Sequence, residues 1–285
     1  MTLDRPPDGP PDRVYRGPDY LAAVAEGAFD PLVHPDPQRP PGAYRFVVAL
    51  LRLVLPRLFR VRVVGVEHLP RPPFLIASNH QAWYDTLFIL AALPGLPMVY
   101  TMARRDTVFN RGWKRWLVPR FGVFPMSPSR GELDQRGVAT VYQVLARGGV
   151  VLVFPEGRYS RGRALRPLKK GVAHFALQAG VPICPVALSG LDRLRPFGVV
   201  EVSIGPPIRP DPPAWWTIQV RVEQLLDRVR RAILGAFDQD GRSRRTLRTR
   251  LGRAVGAPLR ALRQVPGRLR RRLRRGTRNS EGDKR

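Results

Sequence analysis

A histidine and an aspartate stand close together in the stretch SNHQAWYD, residues 78–85, as His80 and Asp85. The apolar run FLIAS before them predicts a buried strand, and the run TLFIL after them is typical of a helix start. On one regular helix the two side chains would point roughly 140° apart. They can therefore pair only if His80 lies in the turn and Asp85 lies in the first helical turn. A carboxylate bonded to one ring nitrogen raises the basicity of the other, as a general base requires.

A second candidate cluster lies further along, in VVLVFPEGRYSRGRALRPLKKG. A strand predicted over Val150–Phe154 runs into Glu156, Gly157 and a basic loop. Ligands of α/β sheets bind at the carboxyl ends of strands, although a plain strand end with a turn would have the same composition. Lys169 and Lys170 stand out because lysine occurs at only two other positions of the chain.

Two further segments could contribute to a site. Arg130, in FGVFPMSPSRGELD, could hold a phosphate with its planar guanidinium group. The segment AGVPICPVAL around Cys184 could line an acyl or acceptor pocket, or could simply be part of the core. Cys184 has no base near it in sequence and no Gly-x-Ser-x-Gly motif is present, so neither a cysteine nor a serine nucleophile is favoured. No metal-ligand spacing occurs.

Apolar runs alternate with helix-like segments through the middle of the chain, and this alternation predicts an α/β fold with a mixed, largely parallel sheet flanked by helices. Helices are predicted at Leu133–Ala146 and Val172–Ala179, and a closing amphipathic helix in WWTIQVRVEQLLDRVRRAILGAF. The predicted strands are Val61–Val64, Phe74–Ser78, Met98–Met102, Val150–Phe154, Ile183–Leu188 and Val199–Ile204.

Composition divides the chain into three parts. Residues 1–42 are rich in proline and aspartate and predict a flexible leader. Residues 43–240 form the predicted domain, in which the segment 46–59, FVVALLRLVLPRLF, is either an interfacial membrane helix or an ordinary docking helix. Residues 241–285 hold 17 basic and 2 acidic residues and form an arginine-rich tail, which could bind anionic lipid or nucleic acid or could be solvated and disordered.

The net charge of +27 points to an anionic partner, namely a membrane surface, a nucleic acid or a phosphorylated substrate. A compositional bias towards arginine could produce part of this charge. The single cysteine excludes an intramolecular disulfide. The N-terminus lacks the apolar stretch of a secretory signal, and no window reaches about 18 uninterrupted apolar residues, so neither export nor a transmembrane helix is expected.

These motifs resemble the glycerolipid acyltransferase family of the lysophosphatidic acid acyltransferase type. Four blocks occur in the family's order: His80 to Asp85, Gly122 to Arg130, FPEG at 154–157, and VPICP at 181–185. The resemblance covers residues 45 to 210 and implies a fold like that of the glycerol-phosphate acyltransferases. The third block usually continues Thr-Arg-Ser, whereas here it reads Arg158-Tyr159-Ser160, and the second block is stretched between its glycine and its arginine.

The resemblance implies an enzyme that moves a fatty acyl group from acyl-CoA or acyl carrier protein to a lysophosphatidic acid hydroxyl in phospholipid synthesis, without a metal or cofactor. It implies that His80 and Asp85 are the catalytic residues. It implies that the substrate is bound by Arg130, Glu156, Gly157, Arg158, Lys169 and Lys170.

Two alternatives remain open. The acceptor could be another lysolipid or a polar head group, or the chain could be a basic membrane or nucleic-acid adaptor without activity. The intact His80 and Asp85 favour catalysis, so nucleic acid is not the expected partner. Because the substrates are amphiphiles, we expect a peripheral or monotopic protein on the cytoplasmic face of the cell membrane, in contact with anionic lipids.

Overall fold

The computed structural model describes residues 21–22, 35–93, 97–126, 134–160, 164–210 and 219–237. Seven strands form one sheet within these ranges. They are β1 (Arg60–Val64), β2 (Phe74–Ser78), β3 (Val99–Arg104), β4 (Val123–Met126), β5 (Val150–Val153), β6 (Ile183–Ser189) and β7 (Val199–Ile204).

The strands lie in the order β1-β7-β6-β2-β5-β3-β4. Five of the neighbouring pairs are parallel, and the β6/β7 pair is antiparallel. The predicted mixed, largely parallel sheet is therefore confirmed.

Helices connect and flank the strands. They are α1 (Gly42–Leu58), α2 (Asp85–Ala92), α3 (Arg105–Val108), α4 (Gly112–Leu117), α5 (Gln135–Ala146) and α6 (Gly171–Ala179), with short 3-10 turns at Val66–His68 and Val118–Phe121. Residues 219–237 form a further helix.

The central strand β2 shows why this sequence folds as a buried sheet. All five of its residues are buried, and they alternate between two apolar clusters: Leu75 and Ala77 belong to one, and Phe74 and Ile76 to the other. Successive side chains of a strand point to opposite faces, so both faces of β2 are covered. A strand covered on both faces favours apolar residues at successive positions, which is the pattern that Phe74–Ala77 shows before the buried Ser78.

Helices cover both faces of the sheet, and α1 contributes to both clusters through Tyr44 and Leu55. Buried residues of α5, α6 and the 219–237 helix share the cluster that contains Leu75. Leu55 of α1 and Phe88 of α2 share the cluster that contains Phe74. Because β2, β5 and β3 are parallel neighbours, their carboxyl ends meet at one edge of the sheet, which is where α/β folds bind ligands.

The structure differs from the sequence expectations at three places. Strand β4 was not predicted, because it has four residues, includes Pro125 and lies at the sheet edge, where proline is tolerated. Residues 35–41 were placed in a flexible leader, yet they contact the domain: the Met98 amide donates to the Pro37 carbonyl at 2.8 Å, and Gln38 Nε2 donates to the Gly148 carbonyl at 2.6 Å. The helix predicted from residue 133 begins at Gln135, capped by the Asp134 side chain.

The segment 46–59 lies in α1, which extends from Gly42 to Leu58. All of the arginine-rich tail, the leader before residue 35 apart from residues 21–22, and the loop that contains Arg130 lie outside the described residues. The division into leader, domain and tail stays a prediction. Within the described part of the chain, no helix combines the length and the apolar character that crossing a membrane requires.

Candidate active site

The turn after β2 brings His80 and Asp85 together. Asp85 is the first residue of α2, and its Oδ2 lies 2.8 Å from His80 Nδ1. An ionised carboxylate only accepts hydrogen bonds, so Nδ1 carries the hydrogen and Nε2 has a free lone pair. Nε2 has no hydrogen-bond partner among the described residues. The pairing expected from the five-residue spacing is therefore present, with the nitrogen that a base would use left open.

Main-chain groups hold the Asp85 carboxylate in place. Oδ2 also accepts from the amides of Gln81 at 2.6 Å and Ala82 at 3.0 Å, and the side chain is completely buried. Oδ1 is buried and has no partner within the described part of the chain. Three donors thus converge on one oxygen, which fixes the carboxylate rotamer and aims it at the imidazole.

Two buried amide side chains fasten this turn to the neighbouring segment. Asn79 donates from Nδ2 to the Leu188 carbonyl at 3.0 Å and accepts from the Leu188 amide at 2.7 Å. Gln81 Oε1 accepts from the Leu191 amide at 3.0 Å. The residues on both sides of His80 are therefore held by β6 and the loop that follows it, so the backbone of the histidine has little freedom.

The His80 imidazole lies against two aromatic rings. The Phe154 ring stacks on it with centroids 3.9 Å apart and planes at 17°, and the Tyr159 ring lies at 4.4 Å with a tilt of 57°. The His80 side chain remains 17% exposed. The imidazole is thus largely enclosed but still reachable by a substrate.

The buried Glu156 side chain links the loop after β5 to the turn that carries His80. It is buried, its Oε1 accepts from the His80 amide at 2.9 Å, and its Oε2 accepts from the Arg166 amide at 2.8 Å. The Ser160 amide in turn donates to the His80 carbonyl at 2.7 Å. Both peptide groups of His80 are therefore tied to the loop after β5. In this structure Glu156 acts as a support for the histidine, whereas the sequence resemblance gave it to the substrate.

The two neighbouring lysines have different surroundings. The Lys169 side chain packs over Gly157, so that a Cβ at residue 157 would lie 2.7 Å from Lys169 Nζ. No ion pair of Lys169 or of the exposed Arg158 occurs within the described residues. Lys170 Nζ instead forms an ion pair with Glu223 at 3.1 Å. Lys169 and Arg158 are therefore available to an anion beside the histidine, and Lys170 is engaged.

Comparison with known proteins assigns this chain to a family. A family model described as acyltransferase matches residues 60–189. The chain is also 32% identical over 212 residues to 1-acyl-sn-glycerol-3-phosphate acyltransferase alpha from Homo sapiens, an alignment that spans 68% of this chain and 72% of the human protein. The chain belongs to the acyltransferase family. It is an enzyme of that family, as the resemblance predicted.

Two further similar proteins extend this comparison, and one of them is named for another acceptor. This acyltransferase is 36% identical over 148 residues to lyso-ornithine lipid O-acyltransferase from Pseudomonas aeruginosa, which covers 51% of this chain and 52% of that protein. A similar solved structure is that of the 1-acyl-sn-glycerophosphate (LPA) acyltransferase PlsC from Thermotoga maritima. It shows 22% identity and a TM-score of 0.49, over 67% of this chain and 80% of that one.

The remaining candidate features are Arg130, Cys184 and a possible metal site. Arg130 lies outside the described residues, so its expected role stays a prediction. Cys184 is buried in β6, and burial raises the pKa of its thiol to about 12, which keeps it protonated and unreactive as a nucleophile. No group of three side chains suited to a metal ion occurs within the described residues.

Sequence reasoning missed the residues that support the dyad. Asn79 and Gln81 lie inside the first motif and were not singled out, although buried amide side chains beside a catalytic turn are frequent anchors. Phe154 and Tyr159 lie in and beside the third block. Tyr159 was noted only as a departure from the family pattern. That departure was the available signal, because the changed residue proves to contact His80 directly.

Proposed function

We propose that this acyltransferase moves a fatty acyl group from an acyl thioester to the free hydroxyl of lysophosphatidic acid. The observation that carries the proposal is the His80–Asp85 pair at 2.8 Å with Nε2 unengaged, at the edge of the sheet where ligands bind. The names of relatives such as the human protein supply the acceptor class. Acyl-CoA or acyl carrier protein is the proposed donor, and the reaction as written needs no resident metal or cofactor.

The mechanism follows from the position of the hydrogen on Nδ1. Nε2 takes the proton of the acceptor hydroxyl while that oxygen attacks the thioester carbonyl carbon. The carbonyl becomes a tetrahedral oxyanion, and His80 becomes an imidazolium that the buried Asp85 stabilises. Collapse of the oxyanion forms the ester and breaks the carbon–sulfur bond. The leaving thiolate then takes the proton from Nε2, which regenerates the neutral imidazole.

The acceptor phosphate is proposed to bind beside Gly157. Lys169 packs over Gly157 and Arg158 follows it, and neither forms an ion pair within the described residues. Phosphate favours such donors. Lys169→Gln should raise KM for a phosphorylated acceptor about tenfold, the effect of losing one charged hydrogen bond of roughly 1.5 kcal/mol. Lys170→Gln is the matched control, because Lys170 pairs with Glu223. Equal effects of the two substitutions would contradict this placement.

The test of the whole proposal is thiol release from an acyl thioester by the purified chain. Lysophosphatidic acid, glycerol 3-phosphate, a lyso-ornithine lipid and a neutral lysolipid serve as acceptors. We expect turnover on lysophosphatidic acid that His80→Ala abolishes while its circular dichroism stays unchanged. Turnover confined to another acceptor would replace the proposed substrate. Absence of turnover on every acceptor would favour a non-catalytic adaptor, and activity retained by His80→Ala would exclude the general-base role.

We also propose that the enzyme works as a peripheral protein on the cytoplasmic face of the membrane, in contact with anionic lipid. Helix α1 supports this, because its large apolar residues Phe46, Leu50, Leu53 and Leu58 are exposed. An amphipathic helix with such a face and nearby arginines favours the bilayer interface.

Helix α4 gives further support for membrane contact. It buries none of its residues, and it exposes Trp113 and Trp116. Lys114 and Arg120 lie over these two rings. Tryptophan beside basic residues is typical of membrane interfaces.

Vesicle flotation tests the two surfaces. Leu50→Ser/Leu53→Ser and Trp113→Ala/Trp116→Ala should each weaken binding to vesicles that contain anionic phospholipid, and high salt should weaken it further. Deleting residues 241–285 tests the tail in the same assay. Variants that bind like the unaltered chain would show that the membrane contact lies elsewhere.

A further inference from the structure

Tyr159 contacts the His80 imidazole although its side chain is largely open to solvent. Its ring lies 4.4 Å from the His80 imidazole, yet the residue is 53% exposed. Phe154, the other ring on His80, is half-buried at the end of the β5 segment and stacks almost parallel to the imidazole. A parallel stack allows the imidazole to slide and turn within its own plane. A tilted second ring restricts that motion.

The backbone around Tyr159 is fastened to His80 on both sides. Ser160, the next residue, donates its amide to the His80 carbonyl at 2.7 Å, and Glu156 accepts from the His80 amide at 2.9 Å. The Tyr159 carbonyl accepts from Arg166 Nη1 at 3.5 Å. The position of the Tyr159 ring is therefore defined by the backbone, since the next residue is hydrogen-bonded to the His80 carbonyl.

The phenol group is neutral and has no hydrogen-bond partner within the described residues. Burial, and secondly the negative charge of Asp85, raise the pKa of Tyr159 above its ordinary value. The residue thus adds no charge to the dyad at physiological pH. Its hydroxyl makes no hydrogen bond in the described part of the chain. What Tyr159 supplies to His80 is the ring.

We propose that Tyr159 is a positioning residue for His80. Its ring, opposing the freedom left by the Phe154 stack, keeps the imidazole in the orientation in which Nδ1 meets Asp85 and Nε2 meets the acceptor. The proposal rests on the proposed function of His80 as general base. It also gives a role to the position at which the third block departs from the family pattern, because the Tyr159 side chain there orients the histidine.

Steady-state kinetics of the full chain test this role. Tyr159→Ala should lower kcat about five- to tenfold with KM for the thioester little changed, because an aromatic contact of this kind changes populations by about that factor. Tyr159→Phe keeps the ring and should retain kcat within about twofold, the allowance for loss of a hydroxyl without a partner. Phe197→Ala is the control, since Phe197 is 69% exposed and has no ring contact with His80.

A second measurement reads the imidazole itself. The NMR resonance of the His80 ring CH groups, assigned with His80→Ala, is shifted by neighbouring ring currents. It should move in Tyr159→Ala and stay in place in Tyr159→Phe. This comparison needs no turnover, so it tests the contact between the Tyr159 ring and His80 even where the unaltered chain consumes no thioester with any acceptor, a result that would overturn the proposed function alone.

Three results would overturn the proposal. A Tyr159→Phe variant as slow as Tyr159→Ala would assign the effect to the hydroxyl. A Tyr159→Ala variant with unchanged kcat and a raised KM for the acceptor would make Tyr159 a wall of the acceptor site. An unmoved His80 resonance in Tyr159→Ala would show that the ring does not hold the imidazole. Should Tyr159→Ala be poorly folded by circular dichroism, Tyr159→Leu replaces it in both measurements with the same expected results.

Discussion

Replacing Asp85 by asparagine separates the charge of the dyad from its geometry. Oδ2 of Asp85 accepts from two backbone amides as well as from His80 Nδ1. Backbone amides only donate, so the asparagine must place its oxygen, and not its nitrogen, at the Oδ2 position. That oxygen continues to accept from Nδ1. The imidazole tautomer should therefore survive the substitution, and only the negative charge is lost.

The size of the effect follows from the same contacts. A hydrogen bond to a charged partner contributes about 1.5–3 kcal/mol, and a full charge pair at an effective dielectric of 20 gives about 4 kcal/mol when the charge centres are roughly 4 Å apart. The His80 side chain is 17% exposed, so solvent screens the charge and the range of about 1.5–3 kcal/mol applies. A loss near 3 kcal/mol in transition-state stabilisation is about a 100-fold fall in kcat. Loss of the tautomer would cost roughly 10⁴-fold.

The new amide nitrogen would replace Oδ1, which is buried without a partner in the described residues. An unsatisfied buried donor costs about 1–3 kcal/mol of unfolding free energy. We therefore expect Asp85→Asn to lower kcat in the thiol-release assay about 100-fold, within the range above, and to lower stability in urea unfolding. Asp106→Asn is the control, because Asp106 is 54% exposed and pairs with Arg104. A fall of 10⁴-fold or more would show that the amide turns and the tautomer is lost. Activity equal to that of the control would remove Asp85 from the mechanism.

Three further predictions concern residues around the dyad. Glu156→Gln should destabilise the fold by about 1–3 kcal/mol in urea unfolding and lower kcat, because both oxygens of Glu156 accept from backbone amides and a glutamine can supply only one. An unchanged urea midpoint would contradict this. Gly157→Ala should weaken binding of a phosphorylated acceptor, measured as KM, since Gly157 has φ +66° and a Cβ would displace Lys169. Cys184 should resist alkylation at pH 8 until the protein unfolds, because its raised pKa of about 12 keeps the thiolate absent below that pH; rapid labelling of the native protein, detected by mass spectrometry, would refute it.

The central sheet was predictable because its strands are apolar on both faces. Residues 74–77 and 150–153 lie in the middle of a parallel sheet covered by helices on each side, so an apolar residue is favoured at each of these positions and the signal is continuous. The edge strand Val123–Met126 carries no such requirement. Its four residues and its proline look like a loop, because an edge strand can leave one row of hydrogen-bonding groups unpaired.

The parts of the candidate site that require a particular side chain could be predicted from the sequence. The parts that depend on hydrogen bonds to the main chain could not. The spacing of His80 and Asp85 signals a dyad because only a strand-to-helix turn brings them together. The role of Glu156 carries no such signal, since its partners are backbone amides, which every residue except proline possesses. Lys169 and Lys170 are adjacent in sequence. Only the position of the 219–237 helix, which brings Glu223 to Lys170, tells the two apart.

The altered third block is compatible with the geometry of the dyad. The hydrogen bonds that hold His80 to the loop after β5 come from Glu156 and from the amide of Ser160, and neither depends on the identity of residues 158 and 159. The loop can therefore exchange those two side chains without releasing the backbone of His80. What changes is what the loop presents: a ring on the imidazole and an exposed arginine one position earlier. Restoring the family order with Arg158→Thr/Tyr159→Arg should accordingly leave the fold intact and shift the relative kcat/KM among acceptors. If the double variant instead unfolds, the ring of Tyr159 contributes to stability as well as to orientation.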